Sequence, residues 1–258
     1  NAEVQNFRRS GRKPRLRPIT STKKSRSCEV AVSRILSITS TAVFTAVAAL
    51  HDYGATWGDE VIVPALSFVA TSNAVLAAGF KPVFVDVRRE TLNLDPERVE
   101  RAVTRRTRAI VAVHTMGKPC DMDALKAIAK RRRLKLIEDA CEAHGGRYKG
   151  RFVGGLGDAG AFSFYAAHLI CTGEGGMVTT RDPGFARVLR SVRSHGRPDG
   201  TLYFRFDRFG FNCKMNDLEA ALGVEGIENF WRIFNARKLN LRYLLAGTAP
   251  NTSDRTKY

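Results

Sequence analysis

Two side chains of this 258-residue chain stand where charge or proton chemistry would be expected. Asp139 closes the apolar run LKLIEDA (134–140), where a carboxylate is expensive to bury unless it meets a positive partner. The plainer reading is a helix cap or a surface carboxylate. His168 lies in FSFYAAHLICTGEGG (162–176), among small and apolar residues. An imidazole there is either a satisfied core group or a proton carrier, since its ordinary pKa of about 6.5 lies near working pH. Within the same stretch TGEGG (172–176) offers backbone that can approach a phosphate or turn sharply, yet it lacks the Lys and Ser/Thr of a P-loop. GGRYKGRFVGGLGD (145–158) reads as a turn-rich hairpin whose composition carries no functional signal.

These residues need elements to position them. TSTAVFTAVAALHDYG (39–54) opens on hydroxyl residues suited to an N-cap and continues as an Ala-rich helix whose free amides could hold an anion. GDEVIVPALSF (58–68) holds a short buried strand, Val61 to Val63, stopped by Pro64. ATSNAVLAAG then reads as helix, KPVFVDV (81–87) as strand, PERVERAVTRRT as helix and RAIVAVHTMG (108–117) as strand. MDALKAIAKRRR is amphipathic, and LKLIEDA is a strand that delivers Glu138 and Asp139 to its C-terminal end. AGAFSFY and GGMVTT read as two short strands, and the segments from FARVLRSVRS onward as helices. The β-α-β order predicts an α/β protein with a mostly parallel sheet. In such sheets ligands gather at the carboxyl ends of strands, where Asp139, His114 and the Pro64 to Phe68 turn fall.

Composition narrows the classes. With 44% hydrophobic residues the chain can bury a full core, and no apolar run is long enough for a membrane span. A formal charge of +17 raises nucleic acid as a partner, but residues 1–26 hold nine Lys or Arg against one acid. Much of the excess therefore sits on a basic, Pro-containing arm (1–30) that reads as disordered. The chain does not begin with Met, which suits a fragment or processed form, and its arm has no apolar core like that of a secretory signal. Five widely spaced cysteines without a C-x-x-C pair read as reduced cytosolic thiols and give no metal-ligand pattern. A soluble, cytoplasmic protein is expected, with no metal, no membrane contact and no nucleic acid partner.

The order of several blocks carries a resemblance. GDEVIVPALSFVAT, PVFVDV, AIVAVHTMGKPCDMDAL, LIEDACEAHGGRYKGRFVGGLGDAGAFSFY and TGEGGMVTT follow one another as in the DegT/DnrJ/EryC1/StrS family of pyridoxal-phosphate-dependent sugar aminotransferases and dehydratases. The resemblance runs from about Thr39 to Pro250. It implies the fold type I aminotransferase architecture, with a PLP-binding large domain (31–245) around a mostly parallel seven-stranded sheet. It also implies that the C-terminal small domain is largely missing, only its truncated start (246–258) being present.

The resemblance further implies roles. Asp139 resembles the carboxylate that pairs with the cofactor's pyridine nitrogen, and Phe68 the aromatic that stacks on the ring. Ser163, Ser40 and Thr41 match groups that hold the phosphate, and Glu142 a polar residue near the ring hydroxyl. Asn212, in GFNCKMND, resembles an asparagine that reaches the neighbouring subunit's phosphate site, which implies a homodimer. The helix start here is TST where the family usually has Ser-Gly-Thr.

The remaining departure is His168 itself, where the family's aminotransferases carry the lysine that holds the cofactor covalently and moves protons. A subgroup resembling this chain, the sugar 3-dehydratases, has histidine there and uses pyridoxamine 5'-phosphate. The implied activity is 3-dehydration of a nucleotide-linked 4-keto-6-deoxy hexose, with His168 as catalytic base and glutamate as the amino donor to the cofactor. Amino transfer, with His168 or another base such as Lys149 or Lys214, and a non-catalytic relative are the alternatives.

Overall fold

A computed structural model describes residues 33–36, 39–201 and 204–248, with the side chains of 33–36, 39–40 and 248 outside the description. The basic arm expected over 1–30 and most of the expected C-terminal remnant lie outside the described residues. The described residues include nine strands: β1 (Ser33–Leu36), β2 (Glu60–Pro64), β3 (Lys81–Val85), β4 (Thr107–Val113), β5 (Lys135–Asp139), β6 (Arg147–Tyr148), β7 (Arg151–Phe152), β8 (Ala159–Ser163) and β9 (Gly176–Thr179). The α-helices are α1 (Thr39–Ala48), α2 (Ala70–Ala77), α3 (Pro96–Ala102), α4 (Met122–Arg132), α5 (Pro183–Arg193), α6 (Asp217–Glu228) and α7 (Phe230–Thr248).

Seven strands form one sheet in the order β1-β9-β8-β5-β4-β2-β3. The pairs among β3, β2, β4, β5 and β8 are parallel, while β9 runs antiparallel to β8 and to β1. This is the expected mostly parallel seven-stranded α/β sheet. Its central strands read as near-continuous Val/Ile/Ala runs because both faces are covered. Val61, Val63, Val111 and Ile137 join α1, α2 and α5 in one core, and Ile62, Ile110 and Leu136 join α3 and α4 in the other.

Local chemistry fixes the helix starts. Asp95 accepts the Glu97 amide with Pro96 in the first helical position, Asp121 accepts the Ala124 amide, and Asp182 accepts the Gly184 amide. Asn216 and Glu219 form a reciprocal capping box at α6. Each such cap stabilises its helix by about 1 kcal/mol.

Three details differ from the sequence reading. The helix expected over 39–54 ends at Ala48 and tightens into a 3-10 turn (Ala49–Tyr53), closed by Gly54 at φ 82°. The strand expected over 108–117 ends at Val113, because the chain turns at Thr115–Gly117 with Met116 at φ 52°. β1 was not foreseen: four residues on a sheet edge are too few for a period-2 pattern to stand out. Among the described residues no helix is long and apolar enough to cross a membrane.

Candidate active site

β5 ends on two adjacent carboxylates, and the alternation of a strand sends them to opposite faces. Glu138 follows Leu136 into the α3/α4 side and is wholly buried. It accepts from His114 Nε2 at 3.0 Å and from the amides of Gly154, Leu156 and Gly157 at 2.8, 2.6 and 2.7 Å. Burial works to raise its pKa, but the His114 and amide hydrogen bonds outweigh it and hold the carboxyl below its usual range. His114 Nδ1 accepts the Cys120 amide at 3.1 Å, so the proton given to Glu138 is on Nε2. A Cβ on Gly157 would sit 2.4 Å from the Leu136 carbonyl oxygen, so only glycine lets this loop approach. The 145–158 hairpin is thereby explained: its end wraps a structural carboxylate.

Asp139 follows Ile137 to the other face and borders a cavity of about 640 Å³. That volume is within the range of small-molecule sites. Asp139 Oδ2 accepts from Thr71 Oγ1 at 2.9 Å and Oδ1 from the Cys141 amide at 3.2 Å. Thr71, in the first turn of α2, accepts in turn from Ser67 Oγ at 2.9 Å. Among the described residues no basic side chain pairs with Asp139, so a buried carboxylate faces the cavity with acceptor capacity to spare.

Phe68 borders the same cavity and is 72% exposed, an aromatic face without a cover. Glu142 is also there, its Oε2 accepting the Met116 amide at 2.7 Å. His168 stands in the loop after β8, half-buried, its amide bonded to the Tyr165 carbonyl at 3.0 Å. Burial lowers the His168 pKa; Glu142 and Asp139 oppose that effect and Arg237 adds to it. Two non-glycine residues in the left-handed region, Leu92 (φ 58°) and Met116 (φ 52°), also border the cavity, where stored backbone strain tends to gather.

The cavity thus brings together Asp139, Phe68, Glu142 and His168 from distant parts of the sequence. It does not include Ser163, Thr41 or Asn212. Ser163 is buried at the end of β8 and accepts the Tyr165 amide at 3.1 Å. Thr41 is half-buried in the first turn of α1, and the side chain of Ser40 lies outside the described residues. Asn212 is exposed, bridged through its backbone to Ser194. Neither alternative base borders the cavity: Lys149, in the β6–β7 hairpin, pairs with Asp123 of α4, and Lys214 is exposed. Among the described residues no cluster of three or more His, Cys, Asp or Glu could hold a metal ion.

Sequence reasoning missed Thr71 and Tyr165. Thr71 left one trace, a hydroxyl four residues after Ser67 at a helix start, which is the spacing that aligns side chains on one helix face. Tyr165, half-exposed beside His168 with ring centroids 6.4 Å apart, left none.

A doubly covered, mostly parallel sheet with a carboxylate-floored cavity at its strand ends is the large-domain architecture of the fold type I PLP-dependent aminotransferases. Residues 31–252 match the DegT/DnrJ/EryC1/StrS aminotransferase family, and the chain belongs to it. It is 43% identical over 175 residues to the dTDP-3-amino-3,4,6-trideoxy-alpha-D-glucose transaminase of Streptomyces venezuelae, covering 67% of this chain and 45% of that one. It is 40% identical over 214 residues to the dTDP-4-dehydro-2,6-dideoxy-D-glucose 3-dehydratase of Saccharopolyspora spinosa, covering 74% and 46%. The solved structure of the E. coli GDP-4-keto-6-deoxy-D-mannose-3-dehydratase with bound hydrated PLP superposes with a TM-score of 0.74 at 32% identity, covering 82% and 59%. The chain spans about half the length of the curated relatives it matches. Family members are PLP-dependent enzymes.

The residues present fit that cofactor. A flat pyridinium needs a buried carboxylate opposite its nitrogen and an apolar face against its ring, and Asp139 and Phe68 offer both on one cavity.

Proposed function

We propose that this chain forms the cofactor-binding part of a PLP/PMP-dependent enzyme acting on a nucleotide-linked 4-keto-6-deoxy hexose, and that its reaction is 3-dehydration. The observation that carries this reading is the presence of His168, with no lysine, beside Asp139 on the cavity. The cofactor, when bound, supplies an electron sink and an amine that condenses with the sugar ketone.

The chain's own residues have separable tasks in this reading. Asp139, held by Thr71 and the Cys141 amide, keeps a proton on the ring nitrogen. Phe68 covers one ring face, and Glu142 lies near the ring hydroxyl. The first turn of α1, with Ser40 and Thr41, and Ser163 hold the phosphate. His168 takes a proton on one ring nitrogen: burial keeps it neutral and so ready to accept. Asn212, exposed and away from this cavity, serves the phosphate site of a second copy in a homodimer. Glutamate restores the amine form of the cofactor.

A second reading, amino transfer, has support of its own: the transaminase relative is 43% identical, against 40% for the dehydratase. One experiment separates them. The protein, with pyridoxamine 5'-phosphate and a nucleotide-linked 4-keto-6-deoxy hexose, is assayed by mass spectrometry beside its His168→Asn and His168→Lys variants. Loss of a hydroxyl, abolished by His168→Asn, supports dehydration; an amino sugar in its place supports transfer.

A further inference from the structure

His144 has no task in the reading above, yet its surroundings are unusual. Its ring is buried, 6% exposed, and neither nitrogen has a hydrogen-bond partner in good geometry among the described residues. The Ser163 backbone is near enough to favour a ring proton only weakly. With the Ser163 backbone as the nearest acceptor for one ring N–H, the other nitrogen is a buried acceptor with no donor among the described residues, and a buried polar group that has given up water without a partner is costly. The ring is walled by Phe162 and Phe164, at centroid separations of 5.5 and 6.0 Å. His168 is a third ring neighbour, at 5.9 Å with the planes inclined by 61°. His144 is thus a ring neighbour of the imidazole that borders the cavity, and is itself outside that cavity.

We propose that His144 is a positioning residue for His168: its ring seats the His168 ring, and its unanswered nitrogen accepts a hydrogen bond from His168 once that ring carries a second proton. The inference rests on His168 being the proton carrier.

The chemistry follows from tautomers. A neutral imidazole has one donor and one acceptor nitrogen, whereas a protonated one has two donors. When His168 gains a proton it gains a donor, and a neutral neighbour with a vacant lone pair stabilises it. For this His144 must stay neutral while His168 titrates. Burial, with a smaller contribution from His168 itself, holds the His144 pKa down to about 4, so it does. The other charged groups facing the pair are Asp139 at the end of β5, Glu142 in the following turn and Arg237 on α7. Asp139 and Glu142 border the cavity with His168. A buried group orienting a catalytic imidazole from behind is a recurrent device, but here the orienting group is uncharged.

The test is histidine-selective NMR titration of the full chain without cofactor. In the wild type the nitrogen shifts of His144 are expected to follow the His168 titration curve while His144 stays neutral. In His144→Phe, which keeps the ring shape, the His168 midpoint is expected to fall by about one pH unit. His144→Gln, which restores an acceptor, is expected to recover most of that fall. The proposal is overturned if His144 shifts ignore the His168 titration, if Phe leaves the midpoint unchanged, or if Gln lowers it as far as Phe. The wild-type titration decides even where a variant does not fold. A failure here with turnover still abolished in His168→Asn removes only the role of His144; intact turnover in His168→Asn removes the reading of His168 instead.

Discussion

Thr71 Oγ1 donates to Asp139 Oδ2 at 2.9 Å while accepting from Ser67 Oγ at the same distance. The two residues are 68 positions apart, and the bond fixes the rotamer of the one buried carboxylate that faces the cavity. Thr71→Val removes the donor while keeping the shape. PLP binding is expected to weaken roughly tenfold, since a hydrogen bond to a charged group contributes about 1.5–3 kcal/mol. Thr71→Ser should bind as the wild type does. Titration of cofactor absorbance measures both.

Asp139→Asn keeps the hydrogen-bonding shape and loses the charge. The variant is expected to retain the fold by circular dichroism, because no basic partner among the described residues is left stranded. Turnover should fall by at least a hundredfold if, as proposed, this carboxylate keeps the ring nitrogen protonated. A variant with more than a tenth of wild-type turnover contradicts the assignment.

For His168 the pH profile has a definite sign. Burial lowers its pKa, so the neutral, proton-accepting form persists below the ordinary value of about 6.5. Turnover is expected to hold as pH falls to 6.5 and to drop only at lower pH. Borohydride treatment should leave no cofactor-lysine adduct in the wild type, and His168→Lys should create one, detectable by intact mass.

His144 couples stability to pH. Its folded pKa of about 4 lies below its unfolded value of 6.5, so below pH 6.5 the unfolded chain binds a proton that the folded chain refuses. Stability is therefore fully present above pH 6.5 and falls as pH drops toward 4, by about 3 kcal/mol in all. Urea unfolding at pH 7.5 and 5.0 should show the decline in the wild type and much less of it in His144→Phe.

Glu138→Gln tests the structural half of the β5 terminus. Three amides and an imidazole N–H converge on this carboxylate, and a carboxamide can accept only some of them. A loss of about 3 kcal/mol of stability is expected, with cofactor affinity nearly unchanged because Glu138 is outside the cavity. Chemical denaturation and cofactor titration on the same sample separate the two effects.

Much of the fold was legible because buried parallel strands must be apolar on both faces, and Val61–Val63, Ala109–Val113 and Leu136–Ile137 announce themselves. That Asp139 and His168 share one cavity was foreshadowed because each is polar in an apolar setting, and the family resemblance suggested the roles proposed for them. The supporting residues were not. Thr71 matters only through a partner 68 residues away, and His144 reads as an ordinary core imidazole until its unanswered nitrogen is noticed. Glu138 and Asp139 look alike in sequence, and only the structure reveals that one is enclosed by donors and the other faces the cavity.

That adjacency makes the β5 terminus intolerant of slippage. Deleting one residue within the strand would exchange the two faces, turning Glu138's side chain toward Phe68 and Thr71 and driving Asp139's shorter one among the Gly154–Gly157 amides. Neither acid has the length for the other's place. Scaffold and chemistry are thus locked to a single registration of β5 between β4 and β8, so this strand should accept substitutions far more readily than insertions or deletions.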